Sequence, residues 1–499
     1  MLAAFLEPLP DAAQMRAIDA WASRPGGVPT LELMERAGTR LARLAGELAP
    51  DGPVTVFCGK GNNGGDGLVA ARILRDEGRS VDVVCLAPSA ELSDDARANL
   101  ERLPGEPPRA DHHRVPSEAV LVIDALLGTG FAGEPRGPAA EAIAAINAAG
   151  IPVLAADVPS GVDASTGEVS GPAVRALVTG TFHAAKPGLW IAPGKTHAGE
   201  VRILDIGIPA GAPAEATIGL IHPAVLDLVP RRQAGSTKFD SGHVLVAGGS
   251  AGMTGAPCLA AEAAMRSGAG YVTACIPGSL GLVFETRLLE VLTRALPDAG
   301  GALTPAGVDA VLDLGRRGGS LVLGPGLGPG GADFARDLAR RAELPLVLDA
   351  DGLNAHAGRL GELARRPGPT VLTPHEGEMA RLLGVERGAV AAARLRHVRR
   401  AAAEAGAIVV LKGDDTLVAA PDGTVAVSPG ATPALATAGT GDVLSGILGA
   451  MLAKRVEPFA AACAAVILHA LAGRRAAETH GAEGVIASDV IAALPRSRA

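Results

Sequence analysis

The stretch Val54-Thr55-Val56-Phe57-Cys58-Gly59-Lys60-Gly61-Asn62-Asn63-Gly64-Gly65-Asp66-Gly67 decides the class of fold. Its first five residues, β-branched or apolar throughout, read as a buried strand. The glycine-dense run reads as a turn, and residues 68–75 behind it as a helix.

Outward from there, strand-like runs recur at 81–86 (VDVVCL), 120–124 (VLVID) and 152–156 (PVLAA), separated by longer Ala/Leu/Arg-rich segments. Such alternation implies βαβ units around a mostly parallel sheet. Ahead of the first strand, 30–44 places Leu33, Ala37, Leu41 and Leu44 on one helical face. A second series runs through 243–247, 271–276, 320–323, 345–350, 370–373 and 407–411. Between the two, Pro209, Gly211, Pro213, Pro223, Pro230 and Gly235 cluster around Arg231-Arg232. The 499 residues exceed what a single core organises, so the expectation is α/β in two tandem domains, 1–220 and 221–499. Ala-rich segments such as 389–403 read as surface helices.

A net charge of −8 without a basic run excludes nucleic acid as a partner. Cys58, Cys85, Cys258, Cys275 and Cys463 form no C-x-x-C pair and have no metal-spaced histidine, so they read as reduced core residues. The start MLAAFLEPLPD lacks a basic flank, and no segment reaches roughly 18–20 uninterrupted apolar residues. A cytoplasmic protein without a membrane partner is expected, as is a homo-oligomer.

A strand feeding a glycine turn at a helix start leaves N–H groups that suit a phosphate or pyrophosphate. Gly59 to Gly64 also fits G-x-G-x-x-G, but Asp82 begins the next strand where a ribose-binding acid should end it. The Asn-Asn-Gly-Gly-Asp core is more specific, since two amides and a carboxylate supply oxygen ligands; a tight turn tolerating positive φ is the competing reading. Strand 120–124 ends in Asp124 and leads to Gly128-Thr129-Gly130-Phe131-Ala132-Gly133, and strand 152–156 leads to Asp157-Val158-Pro159-Ser160-Gly161. Ligands sit outside the carboxyl ends of such strands. A carboxylate, an amide oxygen and a hydroxyl there could hold a hard cation while a second carboxylate moves protons; simple capping acids are the alternative.

GKGNNGGDG, DALLGTGFAG and DVPSG resemble the motifs of the NAD(P)H-hydrate epimerase family across roughly residues 10 to 210. The resemblance implies a Rossmann-like three-layer domain that epimerises C6 of the hydrated nicotinamide ring. It implies K+ at Asn63, Asp124 and Ser160. It also implies substrate contacts at Asn62, Asn63, Gly64, Gly65, Asp66, Gly128, Thr129, Gly130, Phe131, Ala132, Gly133, Glu134 and Asp157. Asp157 is the expected acid/base; Lys186 is a weaker candidate whose default reading is a surface lysine.

In the second series, Ala438-Gly439-Thr440-Gly441-Asp442 precedes Val443-Leu444, Ile447-Leu448 and Met451-Leu452, a buried helical stripe. The loop is therefore a helix N-terminus offering N–H groups to a phosphoryl group, with Asp442 able to take a proton from an attacking hydroxyl. A helix-dipole partner is the plainer reading of that acid. Gly324-Pro325-Gly326-Leu327-Gly328, Asp349-Ala350-Asp351-Gly352-Leu353-Asn354, Thr373-Pro374-His375-Glu376-Gly377-Glu378 and Lys412-Gly413-Asp414-Asp415-Thr416 each follow a strand and define one cleft. With Gly248-Gly249-Ser250 and Thr254-Gly255-Ala256-Pro257, they resemble the ADP/ATP-dependent NAD(P)H-hydrate dehydratase family, of ribokinase-like fold, over roughly 235–495. The resemblance implies substrate at Ala256, Gly326, His375 and Asp442. Adenine nucleotide with Mg2+ would contact Lys412, Gly413, Asp414, Asp415, Thr416 and Gly441. Many relatives carry Gly-Asn-x-Gly-Met-Ala-Thr where this chain has Ala431-Thr432-Pro433-Ala434-Leu435-Ala436-Thr437. The competing function is a ribokinase-like kinase of a hydroxymethyl vitamin precursor carrying an N-terminal ligand sensor.

Overall fold

The computed structural model describes residues 2–213 and 215–498. The chain divides into two compact units, Pro8–Gly219 and Leu220–Ala499, and the segment Ala3–Glu7 belongs with the second. A contiguous first domain over 1–220 is thus corrected at its start. The strand Leu6–Pro8 lies at the edge of the second sheet beside Ile218–Ile221, where the Leu9 amide donates to the Ile218 carbonyl at 2.9 Å.

Among the described residues the first unit's sheet has the order Val81–Cys85, Val54–Cys58, Leu121–Ala125, Val153–Ala156, Val178–Phe182, Glu200–Leu204. All its pairings are parallel. Val54, Val56 and Cys58 pack on one face with Leu33, Leu41 and Leu68, while Phe57 packs on the other with Ile143 and Ile146. That alternation makes three layers. The chain leaves Val54–Cys58 toward one edge and returns on its other side at Leu121–Ala125, so the order reverses between them. A ligand crevice is expected outside that reversal.

In the second unit, the strands from Ile408–Leu411 through Thr370–Leu372, Leu346–Leu348, Ser320–Leu323, His243–Ala247 and Tyr271–Pro277 to Leu292–Leu296 are parallel neighbours. Leu417–Ala419 and Val425–Val427 then fold back antiparallel. The reversal here lies between His243–Ala247 and Ser320–Leu323. The helix Pro458–His480 is long and apolar enough to cross a membrane by length and composition, but 72% of that stretch is buried inside the fold, as befits a core helix. The 389–403 expectation is corrected: two helices, Arg387–Ala392 and Arg394–Ala405, break at Ala393, and the second buries Leu395, Val398, Ala401 and Ala402. All five cysteines are free, four of them buried and Cys85 half-buried.

Helices Thr30–Leu48 and Asn62–Asp76 approach closely because residue 38 is glycine: a Cβ there would stand 2.4 Å from the Val69 Cβ and 2.7 Å from the Asp66 carbonyl oxygen. Gly38→Ala should therefore destabilise the first unit by about 1–3 kcal/mol. Denaturant unfolding of the full chain, followed by a probe in that unit, measures it.

Candidate active sites

The helix expected from residue 68 begins six residues earlier, at Asn62, because Gly64 lets its backbone close on Gly59: a Cβ at Gly64 would lie 1.9 Å from the Gly59 carbonyl oxygen. Asn62, Asn63 and Asp66 therefore sit on the first turns of that helix. They line a cleft of about 790 Å³, together with Gly128, Thr129, Gly130, Phe131 and Asp157. Gly64 and Gly65 are buried against Gly59 and Met34, and Ala132, Gly133 and Glu134 are exposed further along the loop.

Asp157 takes a left-handed backbone (φ 66°), unusual for a residue with a side chain, and its carboxylate is almost saturated. Oδ1 accepts from the Lys186 ammonium at 2.5 Å and the Phe182 amide at 3.3 Å; Oδ2 accepts from the Thr129 hydroxyl and, at 3.3 Å, the Thr129 amide. Lys186 is not a surface lysine: it is fully buried and also donates to the Thr181 hydroxyl (2.9 Å) and the Phe182 carbonyl (2.8 Å). Burial opposes ionisation of Asp157, but Lys186, Thr129 and the Phe182 amide outweigh it and hold the carboxyl below its usual range. Asp66 is pushed the other way, well above that range, by burial and by the charges of Asp157 and Asp19. Asp19 reaches solvent yet lines the same cleft; desolvation by its surroundings and Asp157, against Lys186, push it up to about 6.

Below the cleft Asp124 and Ser160 are fully buried. The Ser160 hydroxyl donates to Asp124 Oδ1 at 2.6 Å and accepts from the Leu127 amide at 2.9 Å, and the Ser160 amide donates to Asp124 Oδ2 at 2.8 Å. Burial pushes the Asp124 carboxyl up to about 6 despite these donors. Asn63, against Gly128, has a buried amide nitrogen without a partner. Rotating that amide half a turn exchanges nitrogen for oxygen. An acid, a hydroxyl and an amide oxygen then make a donor set suited to a hard cation.

In the second unit the helix Thr440–Ala453 starts after Gly439 (φ 89°), and the Thr440 hydroxyl pins the loop by donating to the carbonyls of Leu435 (2.8 Å) and Thr437 (2.9 Å). Asp442, in its first turn, has no hydrogen-bond partner among the described residues. Burial, Asp349 and Glu378, against Lys412, push it up to about 7. The Lys412 ammonium lies 3.0 Å from Asp349 Oδ1 and 3.6 Å from Glu378 Oε2, and a Cβ at Gly441 would be 3.5 Å from it. The amine is therefore engaged, not idle. Asp349 Oδ2 accepts from the Ser445 hydroxyl at 2.6 Å; burial opposes its ionisation, but Lys412, Ser445 and Thr373 prevail and hold it low.

His375 caps the helix Glu376–Leu383: its Nδ1 accepts from the amides of Gly377 (2.9 Å) and Glu378 (3.2 Å), so the neutral ring carries its proton on Nε2. Burial, with Lys412 and Arg381, keeps its pKa below the ordinary histidine value. Ala256 and Gly326 adjoin, the position of a Cβ at Gly326 lying 3.2 Å from the Ala256 Cβ. In the 412–416 loop, Gly413 and Asp414 are exposed, whereas Asp415 and Thr416 are buried. Asp415 Oδ2 accepts from Arg394 Nε at 2.9 Å, and the Thr416 hydroxyl donates to the Gly413 carbonyl at 2.6 Å, so their side chains shape the loop. Sequence reasoning missed Ser445 and His469. The buried His469 Nε2 has no partner among the described residues, and burial with Lys412 nearby lowers the ring's pKa to about 4. Within the apolar run VILHALA it carries no signal of this.

Fold and sites together define a two-centre α/β enzyme, with a lysine-held carboxylate past a strand end in each unit and, in the second, a raised aspartate in the first turn of a helix. Residues 244–496 match the NAD(P)H-hydrate dehydratase family, and residues 30–188 the family described as YjeF-related protein N-terminus. The bifunctional NAD(P)H-hydrate repair enzyme Nnr of Moorella thermoacetica is 39% identical over 507 residues, covering 97% of this chain and 95% of that protein. Its counterpart in Salinibacter ruber is 40% identical over 99% of this chain and 96% of its own length. Among solved structures, the ADP/ATP-dependent NAD(P)H-hydrate dehydratase of Bacillus subtilis, co-crystallized with ATP/Mg2+, is 31% identical over 55% of this chain and 94% of that one, with a TM-score of 0.47. The chain belongs to the family of bifunctional NAD(P)H-hydrate repair enzymes.

Removing the ammonium tests the first centre. In Lys186→Met the acid limb of the epimerase pH–rate profile should move up by about 1–3 units, because Asp157 loses the charge that keeps it ionised. An unmoved limb would show that Lys186 does not set this carboxyl.

Proposed function

We propose that the first unit interconverts the R and S epimers of hydrated NADH and NADPH, and that the second dehydrates the S epimer at the expense of ADP or ATP. The observation that carries this reading is the pair of centres. Asp157, held below the usual carboxyl range, and Asp66, raised well above it, face one cleft in the first unit, where a base and an acid can exchange the C6 hydroxyl between ring faces. In the second unit Asp442 faces Lys412 at a helix start.

Hydroxide is a poor leaving group, so phosphorylation comes first. The C6 oxygen attacks the terminal phosphorus of the nucleotide as Asp442 accepts its proton, and the bond to the leaving nucleotide breaks. The amides of the 438–441 loop hold the transferring group. The ring nitrogen lone pair then expels phosphate from C6, and loss of a C5 proton restores the C5–C6 double bond. This elimination explains a kinase-like centre in a lyase. Lys412 beside Gly441 neutralises charge on the nucleotide, and Glu378, next to that ammonium, is the carboxylate that would hold Mg2+, which supplies further counter-charge when bound. In the first unit Asn63, Asp124 and Ser160 would hold K+, which supplies positive charge beneath the cleft.

Asp442→Asn should lower dehydration by about 10²–10⁴-fold while sparing epimerisation. Mixed R and S hydrates incubated with ADP or ATP then give no recovery of reduced cofactor, although the epimers still interconvert. A wild type that releases a stable phosphorylated product would favour the kinase reading. Because proton acceptance requires ionised Asp442, kcat/KM for dehydration should fall as pH drops below about 7. For K+, the wild type should gain thermal stability from KCl over choline chloride, and Ser160→Ala should not; equal gains would remove Ser160 from the ion site.

A further inference from the structure

Away from both centres, His112, His113 and Glu141 bring three ligand atoms within 4.8 Å of one another on the first unit. Glu141 lies in the first turn of helix Pro138–Ala148; the two histidines lie on the extended segment after Arg109, which bridges to Val84. His112 Nδ1 stands 3.0 Å from the Ala110 carbonyl oxygen, and its Nε2 stands 2.8 Å from Glu141 Oε2. Both neighbours are acceptors. Nδ1 must therefore donate its proton to the carbonyl, and between Nε2 and the carboxylate there must be a second proton or a metal ion. A ring N–H held by a backbone carbonyl, which leaves the opposite nitrogen to bind the ion, is how metal-binding histidines are oriented.

The third atom fits the same occupant. His113 Nδ1 is 3.9 Å from the same Glu141 oxygen, too far for a hydrogen bond. Two ligands on one tetrahedral metal with bonds of about 2.0–2.1 Å stand roughly 3.4 Å apart, between the two observed separations. Acidic groups adjoin the cluster: Asp111 accepts from the His113 amide at 3.2 Å, and Arg109, at the start of the segment, is neutralised by a two-point pair with Asp82.

We propose that His112, His113 and Glu141 form a site for a borderline divalent transition metal of the Zn2+ class, with one coordination position open to solvent. Two imidazoles and one carboxylate select such an ion over Mg2+ or Ca2+, which need more oxygen ligands. The bound ion ties the 110–113 segment to helix Pro138–Ala148, whose first residues, Pro138 and Ala139, line the epimerase cleft.

The test uses the full chain stripped of metal by chelation. Zn2+ is titrated against a chromophoric chelator for the wild type and for His112→Ala, His113→Ala and Glu141→Gln, with retained epimerase turnover as the check on folding. The expected result is one Zn2+ per wild-type chain, at least about tenfold weaker in each variant. Co2+ should give visible absorption bands in the wild type that each variant loses, and Zn2+ should raise the thermal midpoint of the wild type but not of His113→Ala. Unchanged Zn2+ affinity in the three variants, or a wild type that takes up no Zn2+, would overturn the site and leave a hydrogen-bonded His–Glu pair.

Discussion

A lysine closed onto a strand-end aspartate is the interaction on which both centres depend. Lys186 lies 2.5 Å from Asp157 in one unit and Lys412 lies 3.0 Å from Asp349 in the other. Each ammonium satisfies one carboxylate so well that the acid stays ionised although buried, and the resulting negative charge then acts on a second acid nearby. Asp66 rises in the first unit and Asp442 rises to about 7 in the second. Burial first, and that charge second, thus separate two carboxyl groups in each centre, the arrangement by which acid and base roles are divided near neutral pH. Such pairs are costly to bury, and removing one partner strands the other.

The sheets put these pairs where they are. In a parallel sheet every strand delivers its carboxyl end to the same edge, and where strand order reverses, two adjacent loops diverge and leave room for a ligand. The two reversals receive 59–67 with 126–130 in one unit and 248–250 with 324–328 in the other. Asp157 and Ala350, both just past a strand, adopt left-handed backbone despite carrying side chains. That strain is tolerated because the surrounding strands and hydrogen bonds fix both positions.

The long buried strands were legible because burial on both faces leaves a continuous apolar run. The site loops were legible because each follows such a run. What escaped the reading depends on distant partners. Val178–Phe182 carries Gly180 and two threonines, and Leu417–Ala419 and Val425–Val427 are three residues each, so neither pattern stands out. The helix start at Asn62 defies the poor helix propensity of Asn and Gly, and tertiary packing against Leu126 and Met34 overrides it. Lys186 looked like a surface residue because its partner lies 29 positions away on another strand end. Leu6–Pro8 gives no hint that it pairs in the second unit's sheet.

The altered segment 431–437 bears on how the loop 438–441 is held. Without an asparagine amide, the chain forms a short 3-10 turn, Pro433–Leu435, with Leu435 packed onto Gly473 of the core helix. The Ala431 amide reaches the Asp414 carboxylate at 3.1 Å, tying this segment to the 412–416 loop, and Arg474 holds the Gly430 carbonyl at 2.6 Å. Thr440 then fastens the turn's end through its hydroxyl, which donates to the Leu435 and Thr437 carbonyls. The loop is therefore positioned by contacts to its own helix and the neighbouring core helix. The Asp442 carboxylate at its mouth, by contrast, has no hydrogen-bond partner among the described residues, as a group that must take a proton from a bound hydroxyl requires.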